Sequence, residues 1–171
     1  HDPVLESVVP ELEDLRDETN ETVILGRRQG DAIIYLDVIE GGQTVRYSAG
    51  AGEIKPLHSS AIGKAYLGRL DPSERAAQIA RIPLNEMTAN TIVERQALED
   101  DLAASLSKGY FVTRGENVAD VMAVACTVEV YGDVFGIAVA APLSRMHTDE
   151  KSQAERLLAT IDRLRALGDG G

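Results

Sequence analysis

The densest concentration of chemistry-bearing residues lies at positions 57–65, Leu57-His58-Ser59-Ser60-Ala61-Ile62-Gly63-Lys64-Ala65. Two hydroxyl residues stand where a run of small residues begins, so the segment reads as an N-capped helix start whose next backbone N–H groups lack intrahelical acceptors. Such a terminus carries positive partial charge and attracts a carboxylate or phosphate without a cationic side chain. The Gly63-Lys64 pair invites comparison with a nucleotide-binding loop. That pattern, however, requires glycine where His58 stands and serine or threonine where Ala65 stands. A simpler reading of the same residues has Ser59 or Ser60 only capping the helix, Gly63 only permitting close packing, and Lys64 pointing into water.

Other reactive groups offer less. Cys126 is the single cysteine and lies in an apolar stretch, which predicts a buried, inert thiol rather than a disulfide, zinc or redox site. His58 and His147 have no metal-type spacing, and local packing accounts for both. The Ser59-Ser60 pair has no sequence-evident base, and no Gly-x-Ser-x-Gly elbow is present. Glu99-Asp100-Asp101 reads as a solvated helix face rather than a catalytic carboxylate pair. The five tyrosines are scattered rather than arranged as a stacking surface, although Tyr35 and Tyr47 are placed to wall a pocket. No metal or cofactor is expected.

The elements that must position this segment follow from periodicity. Val4, Leu5, Val8, Val9, Leu12 and Leu15 recur at helical spacing, giving an amphipathic helix over residues 1–20 with an acidic outer face. Three β-rich runs follow at 21–29, 32–40 and 43–48, separated by Gly30-Asp31 and Gly41-Gly42, and predict an antiparallel meander. A helix is expected over 60–70 and another from Pro72. Leu98, Leu102 and Leu106 mark a further helix that Gly109 ends. Runs at 121–130 and 134–140 flank Tyr131-Gly132-Asp133 as a hairpin, and Leu157, Leu158, Ile161 and Leu164 define a closing helix. Consecutive hairpins with helices gathered between two sheet halves predict one α+β domain, in which the first helix belongs with residues 21–171.

The order of small motifs is more specific than any one of them. Ile34-Tyr35-Leu36-Asp37-Val38, Glu40-Gly41 and Val45-Arg46 lead through Gly50 and Pro56-Leu57-His58 into the capped helix. Thr88, Thr91-Ile92, Lys108-Gly109-Tyr110, Val124-Ala125, Pro142 and Ser144-Arg145 follow in turn. From about Thr22 onward the chain resembles the C-terminal domain of IclR-type transcription regulators. The resemblance implies a GAF-like or profilin-like fold, a mainly antiparallel sheet with helices packed on it. It also implies binding of a small metabolite and pairing into a homodimer or homotetramer. In complete members a winged helix-turn-helix precedes this domain, and DNA is contacted only through it. That segment is absent from this sequence, and the chain, which starts at His1, is expected to be an excised piece whose first residue is a tag remnant.

The family holds small acids between amides of the helix start and polar side chains of later strands. Position by position, the resemblance implies a ligand site at Ser60, Ala61, Ile62 and Gly63, with Thr113, Ala123, Ala138 and Ala140 from the strands. Thr113 stands where the family commonly has an acid, and the alanines where it often has polar residues. Such a pocket is roomier and less polar, which points to an organic acid with an apolar or aromatic body rather than a two- or three-carbon oxo-acid. A small single-domain enzyme acting on a metabolite is the alternative reading.

Composition narrows the partners. At 171 residues with 44% hydrophobic content the chain builds a substantial single core. No apolar run approaches the roughly 20 residues of a membrane span, and a cytoplasmic location is expected. The net charge of -11 repels phosphate backbones. These 171 residues alone should therefore show no salt-sensitive, sequence-selective binding to a promoter fragment in a fluorescence titration, and its appearance would refute that expectation.

Overall fold

The computed structural model describes residues 2–169. His1, read above as a tag remnant, lies outside them. The first helix, α1 (Pro3–Thr19), is capped by the Asp2 carboxylate, which accepts from Val4 N–H, and Pro3 occupies the first turn, where its missing N–H costs nothing. Six strands form one antiparallel sheet: β1 (Thr22–Gln29), β2 (Ala32–Ile39), β3 (Ile54–Pro56), β4 (Phe111–Arg114), β5 (Val121–Val130) and β6 (Asp133–Pro142), in the spatial order β3-β2-β1-β6-β5-β4. Helices α2 (Ala61–Arg69), α3 (Pro72–Arg81) and α4 (Arg95–Lys108) fill the connection between the two sheet halves, and α5 (Leu143–Asp169) closes the chain.

Alternation along the strands divides the core in two. Val23, Leu25, Val124, Phe135, Ile137 and Val139 point to one face, where Leu12 and Leu15 of α1 and Leu157, Ile161 and Leu164 of α5 cover them. Ile24, Ala125, Ala138 and Ala140 point to the other, against Ile62, Tyr66 and Leu67 of α2 and Leu98 and Leu102 of α4. The side chains on this second face are small for a physical reason. A Cβ on Gly136 would sit 2.2 Å from Ile62 Cγ2, and one on Gly26 would sit 3.1 Å from Ile62 Cδ1, so α2 lies close on the strands.

The α+β class and the antiparallel arrangement agree with the sequence reading. The third β run does not. Residues 43–48 form no strand, and the sheet instead continues through β3, with Ala32 opposite Pro56 and Ile34 opposite Ile54. Val45 is 69% exposed and the Arg46 guanidinium is held by Glu40, so this stretch runs outside the ladder. The three-residue β3 was hidden by Gly50, Gly52 and Pro56, which read as breakers but are tolerated on a sheet edge. The four-residue β4 also has no counterpart among the runs read from sequence. Helix α5 begins at Leu143, well before the leucines used to recognise it.

The structure departs from two of the simpler readings of charged groups. Lys64 does not point into water in any reading of this fold: it is fully buried, and its ammonium donates to Asp101 Oδ2 at 2.8 Å, Val112 O at 2.9 Å and Glu116 Oε1 at 2.6 Å. All three protons are thereby satisfied. Asp101 is accordingly not part of a merely solvated face, because it turns from α4 toward this cation, and Glu99 approaches Arg75 at 3.7 Å. One side chain thus ties α2 to α4, β4 and the loop after it. Replacing Lys64 with Met should cost about 3–5 kcal/mol, because the buried Glu116 carboxylate loses its counter-charge. Urea denaturation of the variant is the check, and an unchanged midpoint would show that the network contributes nothing.

Candidate functional site

The start of α2 is built as the sequence predicted. Ser60 has extended backbone and its Oγ accepts from Gly63 N–H at 3.1 Å while donating to Pro56 O at 2.6 Å. Lys64 N–H takes Ser60 O. The N–H groups of Ala61 and Ile62 meet no acceptor among the described residues, as expected for the first helical turn.

These two amides sit at a cavity walled by Ile24, Tyr35, Tyr47, Ser60, Ala61, Ile62, Thr113, Asn117, Val118, Val121, Ala123, Ala138 and Ala140. The sheet supplies its floor through two adjacent rows. Thr113 lies opposite Ala123, which lies opposite Ala140, which lies opposite Thr22. One step along, Phe111, Ala125, Ala138 and Ile24 are matched in the same way. The Thr22 hydroxyl donates to Tyr47 O at 2.6 Å, which draws the 43–48 stretch over the end of the sheet and makes Tyr47 a wall.

Seven of the eight residues expected from the sequence, Ser60, Ala61, Ile62, Thr113, Ala123, Ala138 and Ala140, therefore line one cavity. Gly63 does not. It faces the preceding loop, where an added Cβ would lie 2.3 Å from Leu57 O, so its role here is close packing. Tyr35 and Tyr47 take the wall positions anticipated for them. Ile24, Asn117, Val118 and Val121 were missed. Val121 shares the period-two face of Ala123, a signal that was available, whereas Ile24 depends on the β1–β6 pairing and Asn117 and Val118 lie in an irregular loop.

The lining contains no acidic, basic or thiol side chain. Its polar groups are the two amides, the Ser60 and Thr113 hydroxyls, the Asn117 carboxamide and the phenols of Tyr35 and Tyr47. Burial, with Tyr47 and Glu53 nearby, holds the Tyr35 phenol above its ordinary range, so it stays a neutral donor. Thr113 is buried and its hydroxyl meets no partner among the described residues. The free volume is about 30 Å³, room for about two waters.

The remaining reactive groups lie elsewhere. His58 is buried with Nε2 2.8 Å from Asn85 O, and desolvation holds its imidazole below the usual value. His147 is exposed on α5 with Nδ1 3.2 Å from Leu143 O. Cys126 is buried beside Gly109 O, and burial pushes its thiol up to about 12, as an inert cysteine requires. No cluster of metal-ligating side chains occurs among the described residues.

Comparison with known proteins accords with this architecture. Residues 1–165 match the family model described as bacterial transcriptional regulator IclR C-terminal. The chain is 33% identical over 168 residues to the HTH-type transcriptional regulator Rv1719 of Mycobacterium tuberculosis, covering 98% of this chain and 64% of that protein. It is 33% identical over 141 residues to the probable transcriptional regulator SauR of Cupriavidus necator, covering 81% and 56%. The crystal structure of Thermotoga maritima IclR superposes with a TM-score of 0.89 at 24% identity, covering 98% of this chain and 70% of that one. The chain thus spans less than two thirds of either sequence relative. It belongs to the IclR family of bacterial transcriptional regulators, and corresponds to their C-terminal domain.

Proposed function

We propose that this domain senses a small organic acid with an apolar or aromatic body, and that occupancy of the cavity controls DNA binding by a winged helix-turn-helix elsewhere in the longer regulator. The observation that carries the reading is the pair of unpartnered amides, Ala61 and Ile62, at a capped helix start facing a cavity with no acidic lining residue. A carboxylate there gains two backbone donors and the helix dipole, worth roughly 0.3–1 kcal/mol and up to about 2 when partly buried. The Thr113 hydroxyl adds a further contact. The apolar body lies on Ala123, Ala138 and Ala140, where each Å² removed from water contributes roughly 25 cal/mol. A cavity of about 30 Å³ admits only a few atoms unless Tyr47 or Val118 moves, so a larger body enters by displacing them. The absence of carboxylate, imidazole, amine or thiol from the lining favours sensing over turnover.

A thermal-shift screen with aliphatic and aromatic carboxylates tests this. A ligand at 100 times its dissociation constant should add roughly 2.7 kcal/mol. Ala138→Leu and Ala140→Leu should each abolish that gain while costing roughly 1–3 kcal/mol in overpacking, which leaves the fold intact. Folded variants that bind with unchanged affinity would place the ligand elsewhere.

We also propose that the domain pairs as a homodimer or homotetramer, since regulators of two-fold operators need two-fold proteins. Analytical ultracentrifugation should give a mass at least double 18.4 kDa, and a monomer at high concentration would count against it.

A further inference from the structure

Between β4 and β5 the chain makes a short loop, residues 115–120, which contributes Asn117 and Val118 to the cavity. An irregular segment at a cavity mouth is usually adaptable, but the first two residues of this one, Gly115 and Glu116, are firmly anchored. The Lys64 ammonium holds the Glu116 carboxylate at 2.6 Å, and the other carboxylate oxygen accepts from Arg114 N–H at 2.8 Å. Two threonines before α4 hold the backbone: Thr88 Oγ1 donates to Gly115 O at 2.5 Å and Thr91 Oγ1 to Glu116 O at 2.6 Å. Gly115 N–H bonds to Val121 O at 2.8 Å, and Gly115 itself has φ 67°, a left-handed conformation suited to glycine. The residue after Glu116 is therefore delivered to one place.

Asn117 is also oriented within that place. Ser59, wholly buried just before the helix cap, donates from its hydroxyl to Asn117 Oδ1 at 3.1 Å. A carboxamide whose oxygen is engaged presents its NH2 elsewhere. That NH2 meets no acceptor among the described residues, although Asn117 is half-buried and lines the cavity. Neither Ser59 nor Asn117 lies on a regular strand or helix, so their meeting comes from the loop anchors rather than from periodicity.

We infer that Asn117 determines specificity: its carboxamide, oriented by Ser59, donates a hydrogen bond to the anionic group of the ligand and makes the site select a carboxylate over the matching neutral amide. This rests on the effector-site reading of the cavity. With the Ala61 and Ile62 amides it gives the acid a set of neutral donors, which bind an anion without burying a counter-charge.

Asn117→Asp is nearly isosteric and still accepts from Ser59, but it offers the ligand an anionic acceptor in place of a donor. Thermal shift and calorimetry would compare the matched pairs acetate and acetamide, pyruvate and pyruvamide, and benzoate and benzamide, on the wild-type chain, Asn117→Asp and Asn117→Ala. Asn90→Asp adds the same charge on an exposed position near Gly115, outside the cavity, and serves as the control. For the pair that stabilises the wild-type chain most, the acid should bind at least tenfold more tightly than the amide. That preference should fall in Asn117→Ala, invert in Asn117→Asp and persist in Asn90→Asp. An unchanged preference in folded Asn117→Asp, or in Asn117→Ala should the aspartate variant not fold, would overturn the role of Asn117 and leave the effector-site reading standing. If no acid binds the wild-type chain, both fall together.

Discussion

A buried ammonium group sets the frame of this domain. Moving such a group out of water costs several kcal/mol unless each proton finds an acceptor, so the three partners of Lys64 must sit where they do. They come from three places in the chain: Asp101 on α4, the Val112 carbonyl on β4 and Glu116 in the loop after it. Lys64 stands one turn beyond the open amides of Ala61 and Ile62. Whatever fixes Lys64 therefore fixes the mouth of the cavity relative to the amides at its end. The cluster has one positive and two negative groups, yet none of them lines the cavity. Charge is used to hold the walls, and neutral dipoles face the interior.

The second constraint is proximity. Helix α2 lies so close to the sheet that Gly26 and Gly136 cannot carry a Cβ without meeting Ile62, and Gly63 cannot carry one without meeting Leu57 O. Alanines at 125, 138 and 140 continue this low relief across β5 and β6. From sequence, alanines in place of polar residues suggested a roomy pocket. The fold shows a second cause for them: a flat strip on which a helix can settle. The cavity is what remains where that contact ends, which explains its narrowness.

Much of this was legible because periodicity is local. The spacing of Leu98, Leu102 and Leu106, the glycine at 109 and the hairpin at 131–133 each depend on a few neighbouring residues, and each forms as read. The capped helix start was legible for the same reason. What failed was non-local. Residues 43–48 carry alternation suited to a strand but join no ladder: the Thr22 hydroxyl holds Tyr47 O and Glu40 holds Arg46, while β3 takes the Ala32–Ile34 part of β2. The burial of Lys64 could not be seen because its partners lie 37, 48 and 52 positions away. Asn117 gave no signal, since a loop held by side chains from other segments has no period of its own. The family resemblance bridged part of this gap, as it carried Thr113, Ala123, Ala138 and Ala140 to a common wall that local pattern alone could not assemble.

The two outermost strands are the shortest in the sheet, three residues in β3 and four in β4. Pro56 closes the first with no N–H to give, and Gly115 turns the chain away after the second. Border strands this short present little backbone of their own to template another strand, which discourages runaway edge-to-edge polymerisation. That favours contacts through helices and loops wherever copies meet, since side chains rather than a repeating ladder decide the fit there, and an assembly made that way can stop at a defined number.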